Sequence, residues 1–276
     1  MATAAAGRDQ TASTSARVTA ILLFAMVVAA CGSDNDDADG KSGSGEAWRS
    51  VAVAPLGGRF LAAVAWTGRE MLVWGGDSCE GACDPAALRT HADGAAYDPL
   101  ADRWRSLPVS PLSPRFGSLV AWTEREVVIW GGSAGDDFLA DGAAYDPDTN
   151  SWRLLAPSPL TARFGVPPGT VAQVPGVWTG KELLVWGQGA GVEDPEPALP
   201  QGAGYEPGAD IWRLLPTAPA LPRIVDPVWT GKEMVVWGGQ SGRQYFDDGA
   251  AYAIGPEGNW AGGLARSARL FGRGVA

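Results

Sequence analysis

"AWTEREVVIWGG", Ala121 to Gly132, has three close relatives in the same chain: "AWTGREMLVWGG" ending at Gly76, "VWTGKELLVWGQ" ending at Gln188 and "VWTGKEMVVWGG" ending at Gly239. Each phrase runs from a tryptophan through a short charged or glycine turn into a β-rich run that ends at a second tryptophan. Two such runs across a tight turn predict an antiparallel hairpin. The glycines that follow, Gly75 and Gly76, Gly131 and Gly132, Gly187, and Gly238 and Gly239, mark the end of the second strand, where a side chain would collide or positive φ is needed.

The repeat extends outward from the hairpin. Trp74, Trp130, Trp186 and Trp237 are spaced by 56, 56 and 51 residues, and Trp66, Trp122, Trp178 and Trp229 keep the same spacing. Downstream, "GAAYDPLADRW" and its relatives supply Tyr97 with Trp104, Tyr145 with Trp152, Tyr205 with Trp212 and Tyr252 with Trp260. Six residues separate the first three pairs and seven the last. An arginine follows eleven residues after a tryptophan at Arg59, Arg115, Arg163 and Arg223. All 13 tryptophans have a place in this scheme.

Each unit therefore predicts four strands: a hairpin, a variable loop, a "DGAAY" strand, an Asp-Pro type turn, and a strand of the "SWRLLA" kind. One small sheet has two apolar faces and needs neighbours, so repetition predicts sheets stacked around an axis with the aromatics between them. Composition agrees, since 38 Gly and 21 Pro suit short strands and turns. A formal charge of −10 without basic blocks speaks against nucleic acid and against an electrostatic hold on anionic membranes.

These motifs, hydrophobic residues before Gly-Gly and then Tyr with Trp six residues beyond, resemble the kelch repeat over Trp48 to Trp260. The resemblance implies an all-β kelch-type β-propeller with four full four-stranded blades and parts of a fifth. Gln188 in place of a second glycine, Ala253 in place of an acid and the extra residue in the fourth unit depart from the pattern. Trp48 belongs to a fourth strand whose companions are missing, and "ARSARLFGRGVA", Ala265 to Ala276, resembles only the beginning of a first strand. The implied ring is thus incomplete. Two readings stand: a fragment of a longer propeller, or a four-bladed ring with loose ends.

The N-terminus reads as an address. Arg8 and Arg17 precede 13 apolar or small residues from Val18 to Ala30, a run suited to secretion and too short for a span of ~20 residues. It ends in "VAAC", which resembles a bacterial lipobox and predicts acylation of Cys31 after removal of residues 1–30. Residues 31–46, acidic and Gly/Ser-rich, predict a flexible tether, and residues 47–276 the propeller. The expected location is the cell envelope, lipid-anchored on the outer face of a membrane. In an oxidising compartment Cys79 and Cys83 predict a disulfide-closed loop, and one histidine, His91, argues against zinc or any other metal site.

Candidate chemistry is sparse. The variable loops at residues 77–91, 133–139, 189–201 and 240–246 differ from unit to unit and carry acidic residues such as Asp136, Asp137, Glu193, Asp194 and Glu196. They suit a binding surface on a rigid scaffold. Arg59, Arg115, Arg163 and Arg223 could line a channel and grip an anion, but Glu70, Glu126, Glu182 and Glu233 recur as regularly and suggest structural pairs. No nucleophile elbow, phosphate loop or HExxH motif appears, and one histidine cannot build a galactose oxidase-like copper site. The expectation is a non-catalytic scaffold without cofactor, recognising a protein or glycan. The alternatives are a sialic acid mutarotase- or sialidase-like enzyme using the arginines, and a fragment without function of its own.

Overall fold

The computed structural model describes residues 48–79, 88–135, 137–160, 174–187, 202–221, 223–241, 244–254 and the backbone of 260–264. Sheet one holds β1 (Ala63–Trp66) and β2 (Met71–Trp74), then, beyond a short ribbon of β3 (Asp77–Ser78) and β4 (Arg89–Thr90), β5 (Gly94–Asp98) and β6 (Arg103–Ser106). Sheet two repeats this with β7 (Leu119–Trp122) and β8 (Val127–Trp130), the ribbon β9 (Ser133–Ala134) and β10 (Asp137–Phe138), β11 (Gly142–Asp146) and β12 (Ser151–Leu154). Sheet three has β13 (Gly176–Trp178), β14 (Leu183–Trp186), β15 (Gly202–Glu206) and β16 (Ile211–Leu214). Sheet four has β17 (Val228–Trp229), β18 (Glu233–Trp237), the ribbon β19 (Gln240–Ser241) and β20 (Gln244–Tyr245), β21 (Gly249–Ala253) and β22 (Trp260–Leu264). The four main sheets are four-stranded, antiparallel, and ordered as the chain runs; the described residues contain no helix.

Register follows the repeat. Trp74 pairs with Gly94, Trp130 with Gly142, Trp186 with Gly202 and Trp237 with Gly249. Glycine is needed there because a Cβ on Gly142 would lie 2.9 Å from the Trp130 ring and 2.7 Å from the Ile129 carbonyl oxygen. Tyr97, Tyr145 and Tyr205 each pair with the tryptophan of the outer strand, and their rings meet it at centroid distances of 5.1, 5.0 and 4.9 Å.

Three hydrophobic layers join the sheets in sequence. Leu72 and Trp74 meet Val127, Ile129 and Tyr145; Val128 and Trp130 meet Leu183, Val185 and Tyr205; Leu184 and Trp186 meet Met234, Val236 and Tyr252. The joints are aromatic, with Trp74 5.9 Å from Trp152 and Trp130 5.5 Å from Trp212. Burying such rings between consecutive sheets is a large apolar gain of the fold, since each removes ~150–250 Å² from water. Packing thus runs from sheet one to sheet four, and contacts closing that series into a ring are not among those of the described residues.

Sheet four is the least regular. Tyr252 pairs with Trp260, but the register then shifts so that Gly249 opposes Leu264. The sequence there is Ala261-Gly262-Gly263, against Arg-Leu or Arg-Ser after the tryptophan in the other outer strands. Adjacent glycines weaken a strand interior and favour a bulge.

Candidate functional site

The inner arginines precede each hairpin. Arg115 and Arg223 have 0% and 2% of their side chains exposed and Arg59 6%. Their partners are not the glutamates named above. Arg59 binds Asp93 at 2.8 Å, Arg115 binds Asp141 at 2.8 Å, and Arg223 binds Asp248. Each also donates to the carbonyl of the first glycine after the second strand, at Gly75, Gly131 and Gly238. The arginine therefore ties the entry of one sheet to the Asp-Gly step before its third strand. Asp93 is held below the ordinary carboxylate range by its hydrogen bond to Arg59. Burial pushes Asp141 up, and the bond and charge of Arg115 more than offset it. Arg163 lies outside the described residues.

Three of the four glutamates pair instead with the arginine that follows an outer-strand tryptophan; in the fourth repeat Ala261 stands at that arginine's place. Glu70 binds Arg105, Glu126 binds Arg153 and Glu182 binds Arg213, each at 2.7 Å. Hairpin register explains the choice: the Thr-x-x-Glu turn, closed by Thr67, Thr123 and Thr179 hydroxyls, sits at the end of the sheet away from the inner arginines. The same guanidinium then reaches the next sheet. Arg105 donates to the Tyr145 hydroxyl at 2.8 Å, Arg153 to Tyr205 at 3.1 Å and Arg213 to Tyr252 at 2.9 Å. The Tyr145 and Tyr205 hydroxyls pass the chain on to Asn150 and Asp210 at 2.6 Å. Hydrogen bonds from Arg105 hold Glu70 below its usual range despite its burial. Sequence reasoning named the glutamates but overlooked these arginines; the recurring Trp-Arg at Trp104, Trp152 and Trp212 was the signal.

Further polar groups gather at the two ends of the strands. At one end stand the ribbons β3–β4, β9–β10 and β19–β20 of repeats one, two and four. The first carries Ser78, whose Oγ lies 2.7 Å from His91 Nε2, and Cys79, which is disulfide-bonded. Cys83 lies outside the described residues, as do Asp136, Glu193, Asp194 and Glu196. Asp137 is exposed on the second ribbon and Tyr245 on the fourth. At the other end, a cleft of about 590 Å³ opens between sheets two and three, lined by Arg125, Arg153, Trp178, Lys181, Glu206 and Asp210 among others. Acids and bases alternate there and largely neutralise one another, as Lys181 beside Glu206 at 3.8 Å shows. No group of three or more His, Cys, Asp or Glu side chains suited to a metal occurs among the described residues.

Of the repeat aromatics named from sequence, Trp74, Trp130, Trp186, Tyr145, Tyr205 and Tyr252 are buried at the joints between sheets, with Trp152 and Trp212 packed against them; Trp237 is 67% exposed, and Trp260 is described by its backbone only. Cys31 and the tether lie outside the described residues. No helix among the described residues is long and apolar enough to cross a membrane. No family profile matches the chain. No curated protein matches it either.

Proposed function

We propose that this chain is a kelch-type β-propeller serving as a lipid-anchored, non-catalytic scaffold that recognises a protein or glycan through the loops following the second strand of each repeat. The observation that carries this reading is the contrast between framework and loops. Repeated internal arginine–carboxylate pairs hold many of the charged side chains of the sheets. The ribbons, by contrast, share a position but differ in residues: "DS" with "RT", "SA" with "DF", "QS" with "QY". A uniform scaffold with variable tips is the arrangement of a recognition surface. Arg59, Arg115 and Arg223, buried and bound to aspartate and carbonyl groups, favour structure over grip on an anion.

Two experiments test the reading. Screening the full chain on a glycan array and against envelope protein extracts should yield binding that is lost when Ser133–Phe138 is replaced by a Gly-Ser turn. Hydrolysis or mutarotation of a sialoside by the chain would overturn the non-catalytic assignment. Labelling with a palmitate analogue, present in the wild type and absent in Cys31→Ser, checks the anchor.

A further inference from the structure

The cleft between sheets two and three owes its room to small residues. Where repeat two has Glu124 in its hairpin turn and Asp148 and Thr149 in the turn before its outer strand, repeat three has Gly180, Gly208 and Ala209. These small residues all line the cleft, and a Cβ on Gly180 or Gly208 would meet nothing within 4 Å. The sheets themselves have not parted, since Val128, Trp130, Leu183, Val185 and Tyr205 remain packed between them. Each replacement on its own reads as ordinary turn variation, and only the assembled joint brings them together.

Part of the lining is rigid. Arg153 donates to both carboxylate oxygens of Glu126, to the Tyr205 hydroxyl, to Asp210 at 3.2 Å and to the Pro207 carbonyl at 3.4 Å. Trp178, at the end of β13, is partly buried and packs against the apolar layer of the same joint. Side chains held in this way lose little freedom on receiving a ligand, which favours affinity. The rim differs. Arg125 and Lys181 have 80% and 71% of their side chains exposed and reach Asp146 and Glu206 only at 3.8 Å. Exposed pairs of that kind contribute little to stability and exchange readily for other partners.

The charges of the lining balance: Arg125, Arg153 and Lys181 stand against Glu126, Glu206 and Asp210. An anion in the cleft would face the carboxylates and a cation would face the bases, so neither is favoured. A hydroxyl both donates and accepts, and serves carboxylate and base alike without parting a pair. Trp178 adds one flat apolar wall. A pyranose ring has the matching combination, with hydroxyls around its edge and a C–H face of low polarity. The volume of about 590 Å³ lies inside the ~300–1,000 Å³ of small-molecule sites, which likewise join aromatic walls to a few polar groups. We propose that this cleft binds a short neutral saccharide, stacked on Trp178 and hydrogen-bonded by Arg125, Lys181, Glu206 and Asp210. It lies at the end of the strands away from the ribbons β3–β4, β9–β10 and β19–β20, and is independent of the recognition assigned to the loops.

The probes are four neutral disaccharides, maltose, cellobiose, lactose and N,N′-diacetylchitobiose, with 3′-sialyllactose as the anionic and chitobiose as the cationic control. Each is titrated into the full chain labelled with 5-fluorotryptophan, the Trp178 resonance being assigned through Trp178→Phe. Saturable one-to-one binding of at least one neutral disaccharide, shifting Trp178, is expected. Gly208→Asp with Ala209→Thr copies the turn of repeat two into the cleft and should weaken binding about tenfold or more, with an unchanged melting temperature. Lys181→Ala, on an exposed side chain, should weaken it about fivefold through one lost hydrogen bond. Absence of saturation by all four, tighter binding of either charged control, or affinity unmoved by these variants each overturns the proposal. Binding lost instead when Ser133–Phe138 is replaced by a Gly-Ser turn would move the saccharide to the loops and overturn the cleft, whereas a loop replacement that leaves Trp178 shifting upholds it.

Discussion

Arg153 donates to the hydroxyl of Tyr205, 52 residues further along the chain, while two of its nitrogens hold Glu126 in its own sheet. One guanidinium thereby joins two sheets, alongside the Ala156 amide on Asp210, the Trp212 Nε1 on the Ala156 carbonyl, and apolar contact. Its planar fork suits the task, because it can bind a carboxylate side-on and still present an N–H elsewhere.

Arg153→Met should therefore lower the unfolding free energy by about 2–3 kcal/mol, under the range for a wholly buried pair because the arginine side chain is 33% exposed. A double-mutant cycle with Glu126→Gln should show a coupling of at least ~0.5 kcal/mol. Denaturant unfolding reads both; additive losses would mean that the pair contributes nothing as a pair.

At the second position of the hairpin turns one repeat departs from glycine. Gly68, Gly180 and Gly231 have φ of 89°, 91° and 94°, and the second repeat places Glu124 there with φ of 68°. A left-handed conformation costs a non-glycine residue ~1–2 kcal/mol. Glu124→Gly should raise stability by about 1 kcal/mol, reduced somewhat by the added freedom of the unfolded chain. A lower melting temperature would refute the account.

Space distinguishes glycines of similar φ. A Cβ on Gly132, at φ 93°, would lie 2.5 Å from Ser118 Oγ and 2.7 Å from the Phe116 carbonyl oxygen, whereas one on Gly231 meets nothing within 4 Å. Gly132→Ala should cost about 3 kcal/mol or more and Gly231→Ala only about 1. Thermal unfolding of the two variants side by side decides it.

Asp77 shifts in the opposite direction from Glu70, Asp93 and Asp141. It is 1% exposed, its Oδ1 has no hydrogen-bond partner among the described residues, and burial pushes its carboxyl above the usual range, with Thr90 and His91 offsetting part of that. A raised folded pKa gives stability that is present below the unfolded value, about 4, and lost as pH rises through the folded one. Glu70, Asp93 and Asp141, held low, act in reverse: their contribution is present above about 4 and lost as pH falls through their lowered values. Asp77→Ser, the residue that repeat two buries at Ser133, should thus stabilise the chain by roughly 1 kcal/mol at pH 7 and show little gain at pH 4. Equal shifts at both pH values would place the cause outside the Asp77 charge.

The four-sheet plan and its register were legible because tryptophan, glycine and tyrosine recur at fixed offsets, and antiparallel pairing converts offsets into neighbours. The charged pairs were harder. Arg115 and Glu126 lie close in sequence and both recur, yet they sit at opposite ends of one hairpin, and the true partners are Asp141 and Arg153. Asp141 looked like turn chemistry before a glycine, and it is that as well as a counter-ion. Which end of a strand a residue occupies depends on strand direction, and counting alone omits it. The cleft between sheets two and three left no mark in the sequence, since turns from three separate hairpins line it.

The relay from Glu126 through Arg153 to Tyr205 also has a heading. Every described link leaves from the outer strand of one unit and lands on the third strand of the unit after it, so the stack has a distinguishable head and tail, like an arrow. Because departure and landing residues are the same in type at each joint, a whole unit duplicated or deleted by unequal crossing-over would leave every remaining joint chemically intact. Half a unit would not. Lineages of such a chain can therefore change length in single steps of one unit and keep their joints, with only the two ends left to be solved anew.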